Sequence, residues 1–260
     1  MIKFFRKIRK KLIEEDNVRK PASPAGRYLL YAVGEIVLVV IGILIALWIN
    51  NLNINHQLKK EQTTLITNLK QELNENLMQF TRRTNRLKYL NKKLIEVLNF
   101  SAGAPTNKPI DSLKTHTTSV FTFPAAALNN SRLSSAKSSG RFSLLSENIT
   151  TSLTDYETLI TNYSKFIEIS SLTFQDDWSN LVIRLNSLQR LHTIYYPDTD
   201  LITHPEFVLD DEALSLYLKE PQTYELLHKY YVQSMVEQAW LEELIDRINS
   251  TLKTIEQEQL

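Results

Sequence analysis

Between Tyr28 and Ile49 the chain runs YLLYAVGEIVLVVIGILIALWI, 22 residues with a single charge, Glu35. At 1.5 Å per residue a helix of that length reaches about 33 Å, enough to cross a hydrocarbon core of about 30 Å. Arg27, Tyr28 and Tyr31 mark one interface; Trp48, followed by Asn50 and Asn51, marks the other. Three competing readings fit less well. A buried core helix does not explain an unbroken apolar or glycine run from Ile36 to Trp48. A cleaved signal peptide has a shorter region before its apolar stretch, and needs small residues where Trp48 and the Asn-rich stretch stand. An interfacial helix needs a polar face, and this segment has none. The expectation is one uncleaved transmembrane helix over residues 28–49.

Charge then orients it. Residues 1–28 hold nine basic residues against three acids, a net of +6, which leaves −5 for the rest of a chain whose total is +1. Retained positive charge places the N-terminus in the cytoplasm and everything after Asn50 on the exported side. Residues 1–15, MIKFFRKIRKKLIEE, set Phe5, Ile8 and Leu12 at helical spacing among basic residues. Lys3, Phe4, Phe5, Arg6, Lys7, Arg9, Lys10 and Lys11 are the candidate membrane-surface residues of a short amphipathic helix on anionic lipid. A merely basic, flexible flank is the alternative. Pro21 and Pro24 are read as a hinge before the span.

Composition narrows the exported part. Five glycines in 260 residues argue against sandwiches and Gly-rich nucleotide folds. With no cysteine there is no disulfide, thiolate metal site or cysteine nucleophile. A net charge near zero gives no ground for nucleic-acid binding. Residues 51–100 contain neither Gly nor Pro, and Leu58, Leu65, Leu69, Leu73, Leu77, Phe80, Leu87, Leu90, Leu94 and Val97 recur at helical spacing. A rod continuous with the span is expected, broken over 101–123 by Gly103, Pro105 and Pro109. A short helix is expected through Ala125–Leu128, stopping at Gly140.

Ser146 or Asn148 caps a second long helix, whose stripe holds Ile149, Leu153, Tyr156, Ile160, Tyr163 and Ile167, later Leu181, Leu185, Leu188 and Leu191. A local break is expected at Asp176-Asp177. Asp210 or Asp211 opens a short helix, and Pro221 suits the first turn of a last one. That one carries Tyr224, Leu227, Tyr231, Ala239, Leu241, Ile245, Ile248, Leu252 and Ile255. The expected fold is all-α: an N-terminal amphipathic segment (1–27), one transmembrane helix (28–49) and an elongated antiparallel helical bundle outside the membrane (50–260).

Chemistry-bearing patterns are few. Glu35 lies about 10 Å along the span, where a carboxylate costs at most about 2.5–3.5 kcal/mol. It pairs with a partner helix, relays protons, or snorkels with no task. Gly34, Gly42 and Ala46 recur at multiples of four and form a face on which two helices approach closely. Glu225-x-x-His228 has the spacing of carboxylate-bridged metal bundles, but those need a second copy and two further glutamates, so a surface His is the reading. No zinc-protease, nucleophile-elbow or phosphate-loop motif occurs. Tyr195-Tyr196 with Tyr230-Tyr231 line a ligand pocket or, more ordinarily, pack the core and rim. No metal and no cofactor are expected, and the chain is not expected to be an enzyme.

The stretch Met1–Glu15, followed by Tyr28–Leu47, closely resembles a family of uncharacterised single-span membrane proteins of Gram-negative bacteria. The specific part covers the first 50 residues, with a weaker echo at Ser138–Leu145, where the family carries a Gly-containing turn before a helix. This chain inserts the Pro21–Pro24 stretch and has Leu52 where relatives often carry Trp. The resemblance implies an inner-membrane protein with a periplasmic helical region, and no activity. From the residues themselves, the leading expectation is a scaffold or sensory input that contacts lipid and a second copy or another membrane protein. A subunit of a proton-coupled complex using Glu35 stands second, and an envelope enzyme third.

Overall fold

An uninterrupted run of helix formers makes the first element. The computed structural model describes residues 24–118, 128–185 and 209–258, without the side chains of 24–27, 30, 31, 118, 172–180, 182 and 183. Six α-helices form among them: α1 (Pro24–Ser101), α2 (Ile110–Thr118), α3 (Ser131–Ser138), α4 (Glu147–Arg184), α5 (Asp211–Lys219) and α6 (Pro221–Glu258). A 3-10 turn, Arg141–Leu144, precedes α4, and no strand occurs among the described residues. The all-α expectation holds. The amphipathic segment through Lys11, the Ala125–Ala127 helix start, and Leu188, Leu191, Tyr195 and Tyr196 lie outside the described residues.

Two units divide the chain, Met1–Glu61 and Gln62–Leu260. In the first, α1 is long and apolar enough to cross a membrane, and its side chains from Ala32 to Asn50 are exposed all round. Residues 51–61 are helical and exposed as well, and Leu58, expected on the buried stripe, is 43% exposed. Packing begins at Gln62, whose amide donates to the Leu144 carbonyl at 2.7 Å.

In the second unit, α1, α4 and α6 share a core. Ion pairs and hydrogen bonds fix their directions. Lys70 and Arg83 of α1 meet Glu256 and Glu237 of α6, and Asp155 and Tyr163 of α4 meet Arg247 and Glu237, so α6 is antiparallel to both neighbours. Asn76 meets Tyr156, and Phe80 meets Tyr163. These pairs keep step along the chain, so α1 and α4 run parallel, not antiparallel. Parallel neighbours require a long return connection. The residues between α1 and α4 provide it, carrying α2 and α3 on the way.

Helix ends follow local chemistry. Gly103, at φ 94°, takes the left-handed conformation that terminates α1. The expected break over 101–123 is real at its start, but Ile110–Thr118 is helical again, burying Leu113. Leu128 to Asn130 are not helical, and the short helix α3 runs from Ser131 to Ser138, stopping before Gly140 at φ 72° as expected. Ser146 caps α4, its Oγ accepting from the Ile149 N–H at 3.3 Å; Asn148 instead donates to Glu258. The backbone of α4 passes Asp176-Asp177 without the expected break. Asp210 caps α5 by accepting from the Ala213 N–H at 2.7 Å, and Pro221 opens α6. Ala239, placed on the α6 stripe by sequence, is exposed, while Thr223, Tyr230, Ser234, Glu237, Leu244 and Thr251 are buried there.

A buried acid substitutes for a missing cap. Asn130, at the N-terminus of α3, makes no side-chain cap bond. Glu72 of α1, 2% exposed, accepts from the Arg132 N–H at 2.6 Å and the Leu133 N–H at 3.1 Å. A carboxylate placed there satisfies two helix-end donors and complements the helix dipole. Glu72→Ala is expected to cost about 1.5–3 kcal/mol, the range for hydrogen bonds to a charged group. Faster amide exchange in α3 with a lowered unfolding midpoint checks this; unchanged α3 protection would refute it.

Candidate functional site

Two places gather the groups that sequence and structure single out. The first is the span. Gly34, Glu35, Gly42 and Ala46 are all exposed on α1. A Cβ built at Gly34 or Gly42 meets nothing within 4 Å. Among the described residues, therefore, the small-residue face carries no covering element of this chain. Glu35 lies beside Gly34 on the same turn of helix.

The second place lies inside the bundle and escaped the sequence reading. Arg83 of α1 donates through Nε and Nη2 to the two carboxylate oxygens of Glu237 on α6, both at 2.8 Å. The Tyr163 hydroxyl of α4 donates to Glu237 Oε1 at 3.2 Å. All three residues are buried: the Arg83 and Glu237 side chains are 6% and 8% exposed, and Tyr163 is fully buried. Planar guanidinium and carboxylate fit as a two-pronged pair, the strong form of a charge-assisted bond. Each of α1, α4 and α6 contributes one residue, so the layer ties all three together. Sliding α6 by seven residues would bring Tyr230 or Leu244 to Arg83 and strand both charges in apolar surroundings. The layer thus specifies register, at a desolvation cost that the pairing offsets.

The signal for it was present as a spacing. Ile66, Leu69, Leu73, Asn76, Phe80, Arg83, Leu87, Leu90, Leu94, Val97 and Ser101 alternate steps of three and four, and all are buried. Following apolar letters alone skips Asn76 and Arg83; following the spacing includes them. The same alternation on α6 runs through Thr223, Leu227, Tyr230, Ser234, Glu237, Leu241, Leu244, Ile248, Thr251 and Ile255. A neighbouring layer joins Asn76, whose amide donates to the Tyr156 hydroxyl at 2.8 Å and to the Asn129 carbonyl at 2.5 Å. Burial pushes the Tyr156 phenol well above its ordinary value.

Other candidates sit at the surface. Glu225 and His228 are exposed, His228 stacking between Tyr224 and Tyr231 with ring centroids 5.8 and 6.5 Å away. Tyr230 is buried beside Leu227 in the core. Among the described residues no three His, Asp or Glu side chains are grouped to hold a metal ion. Glu96 takes Lys108 and His116 as partners; the Lys108 bond holds its carboxyl below the usual range, although burial opposes this. Burial lowers the His116 imidazole, assisted by Lys93. That group clamps the loop after α1 against its last turns.

Residues 35–189, more than half of the chain, match a family of unknown function, DUF6090. The chain belongs to this family. The DUF6090 match opens at Glu35, so Met1–Gly34 falls outside it, whereas the Ser138–Leu145 turn falls inside. Of the first 50 residues, on which the expected resemblance mainly rests, the match therefore holds only those from Glu35 onward, and it runs instead through α4. Arg83 and Tyr163 lie within the DUF6090 stretch, and Glu237 does not. No curated protein and no solved structure matches the chain.

Proposed function

We propose that this DUF6090 protein is a single-pass inner-membrane protein of Gram-negative bacteria with a cytoplasmic N-terminus and a periplasmic bundle. The bundle binds other proteins as a scaffold or sensory input, and performs no catalysis. The observation that carries the reading is α1, which supplies both the apolar, exposed stretch at 32–49 and one core helix of the bundle. Lipid at Lys3–Lys11 and a second copy or a membrane-protein partner at the Gly34–Gly42–Ala46 face complete the assembly.

Topology is tested with a reporter active only outside the cytoplasm. It is expected to be active after Leu260 and silent before Met1. Reversing charge at Lys7, Arg9, Lys10 and Lys11 weakens that orientation. A silent C-terminal fusion on an intact, inserted protein would overturn it. Co-purification from solubilised membranes then separates a multi-span partner from a soluble periplasmic one; recovery of the chain alone under mild crosslinking counts against a scaffold.

Glu35 within the apolar run supports a second reading, a subunit of a proton-coupled complex. Glu35→Gln keeps a hydrogen-bonding group and removes proton carriage. Under the scaffold reading the variant complements a deletion fully; under the second it fails to.

A further inference from the structure

The chain has no cysteine and three methionines, so the thioether is its one sulfur group open to reversible oxidation. Met78 and Met235 lie among the described residues, 48% and 41% exposed. Exposure opens both side chains to an oxidant in solution, but their surroundings differ. Asn91 of α1, only 5% exposed, aims its side-chain amide at Met235 of α6, Nδ2 donating to Sδ at 3.5 Å. Among the described residues that sulfur is the hydrogen-bond partner of the Asn91 amide, and no side-chain donor reaches the Met78 sulfur. A thioether is a weak acceptor, so a polar group taken almost fully out of water is poorly compensated there. The pair bridges α1 and α6, the same two helices that Arg83 and Glu237 join.

We infer that Met235 is a site of reversible oxidation, and that its sulfoxide tightens the contact between α1 and α6. The oxidant is a hydroperoxide. The sulfur lone pair takes its terminal oxygen, the O–O bond breaks, and hydrogen peroxide leaves as water; sulfur loses two electrons and the peroxide gains them. The product carries a polar S–O bond, whose oxygen is a far stronger acceptor than the thioether. The three rotatable bonds of methionine let that oxygen turn to the Asn91 amide, and the exposed side of Met235 keeps the sulfoxide partly in water. Methionine oxidation ordinarily disrupts packing, because it places a polar group in an apolar site. Here a buried donor already points at the sulfur, so the sign reverses. A methionine sulfoxide reductase restores the thioether, two thiols becoming a disulfide and the oxygen leaving as water. The bundle thus registers an oxidant as a firmer α1–α6 contact, whatever partner it binds.

Hydrogen peroxide treatment of the full chain in detergent micelles tests this, with peptide mapping to locate the added oxygen. Met235 is expected to be oxidised along with Met78. In the Met78→Leu variant, oxidation is expected to lower the unfolded-to-folded ratio by about twofold to tenfold, the range of one net hydrogen bond. The Met78→Leu/Met235→Leu variant, in which Met1 is the remaining methionine, is expected to show no such change. With Asn91→Leu added to Met78→Leu, oxidation no longer stabilises. Should that variant lose helicity, the wild type answers by itself: the Asn91 side-chain amide proton signal is expected to move downfield on oxidation and to return after treatment with the reductase. Stability left unchanged or lowered by oxidation, the same gain without Asn91, or an Asn91 signal that stays in place would each overturn the inference. So would a Met235 that stays a thioether under conditions that oxidise Met78.

Discussion

Arg83→Met is expected to lower stability by about 3–5 kcal/mol, the cost of leaving one member of a buried ion pair without its partner. Among the described residues Glu237 would keep only the Tyr163 hydroxyl, 3.2 Å from Oε1, against its charge. With total stabilities of about 5–15 kcal/mol for single domains, that loss removes much of the folded population. The double variant Arg83→Met/Glu237→Met behaves differently. It removes both charges and fills the space with apolar atoms, so it is expected to be neutral or more stable than the wild type. Denaturant unfolding of the full chain in detergent, followed by helicity, measures both. A double variant as unstable as the two single losses combined would show that the residues act separately.

The second large effect distinguishes residues that sequence alone treats as equal. Phe80 and Leu58 belong to one expected stripe on α1. Phe80 is fully buried and meets Tyr163 edge-to-face, with centroids 6.5 Å apart and planes at 66°. Phe80→Ala is expected to cost about 3–5 kcal/mol through lost transfer energy and the cavity left behind. Leu58→Ala, at a site 43% exposed, is expected to change bundle stability by less than about 0.5 kcal/mol. Comparable losses at both positions would mean that Leu58 has a covering partner in the assembled protein.

That contrast shows why the fold was more legible than its interior. Ile149, Leu153, Tyr156, Ile160 and Tyr163 were readable because an apolar period of three and four reports a buried face directly. Caps were readable at Ser146 and Asp210 because their bonds are local. Leu58 misled because the period persists beyond the point where packing partners begin. Asp176-Asp177 misled because a helix tolerates acids wherever its backbone bonds remain intact. The parallel course of α1 and α4 depends on where a long connection returns, which no local pattern encodes. Arg83 and Glu237 are 154 residues apart in the chain. Each looks like a solvated charge until its place in the spacing is counted. Glu35, Gly34, Gly42 and Ala46 were found by sequence, and the structure leaves them exposed, open to a partner from outside the chain.

The alternation of threes and fours also has a geometrical consequence. Its mean step is 3.5 residues per turn, whereas a straight α-helix needs 3.6, so the buried line drifts by about 20° per heptad. Over the run from Ile66 to Ser101 on α1 and from Thr223 to Ile255 on α6, no residue is inserted to reset it. Helices that keep such a line in contact must wind about one another with left-handed coiling. Inserting four residues between Leu87 and Leu90 would relax that winding locally. Handedness in this bundle is thus written in the interval between side chains, whichever side chains occupy the positions.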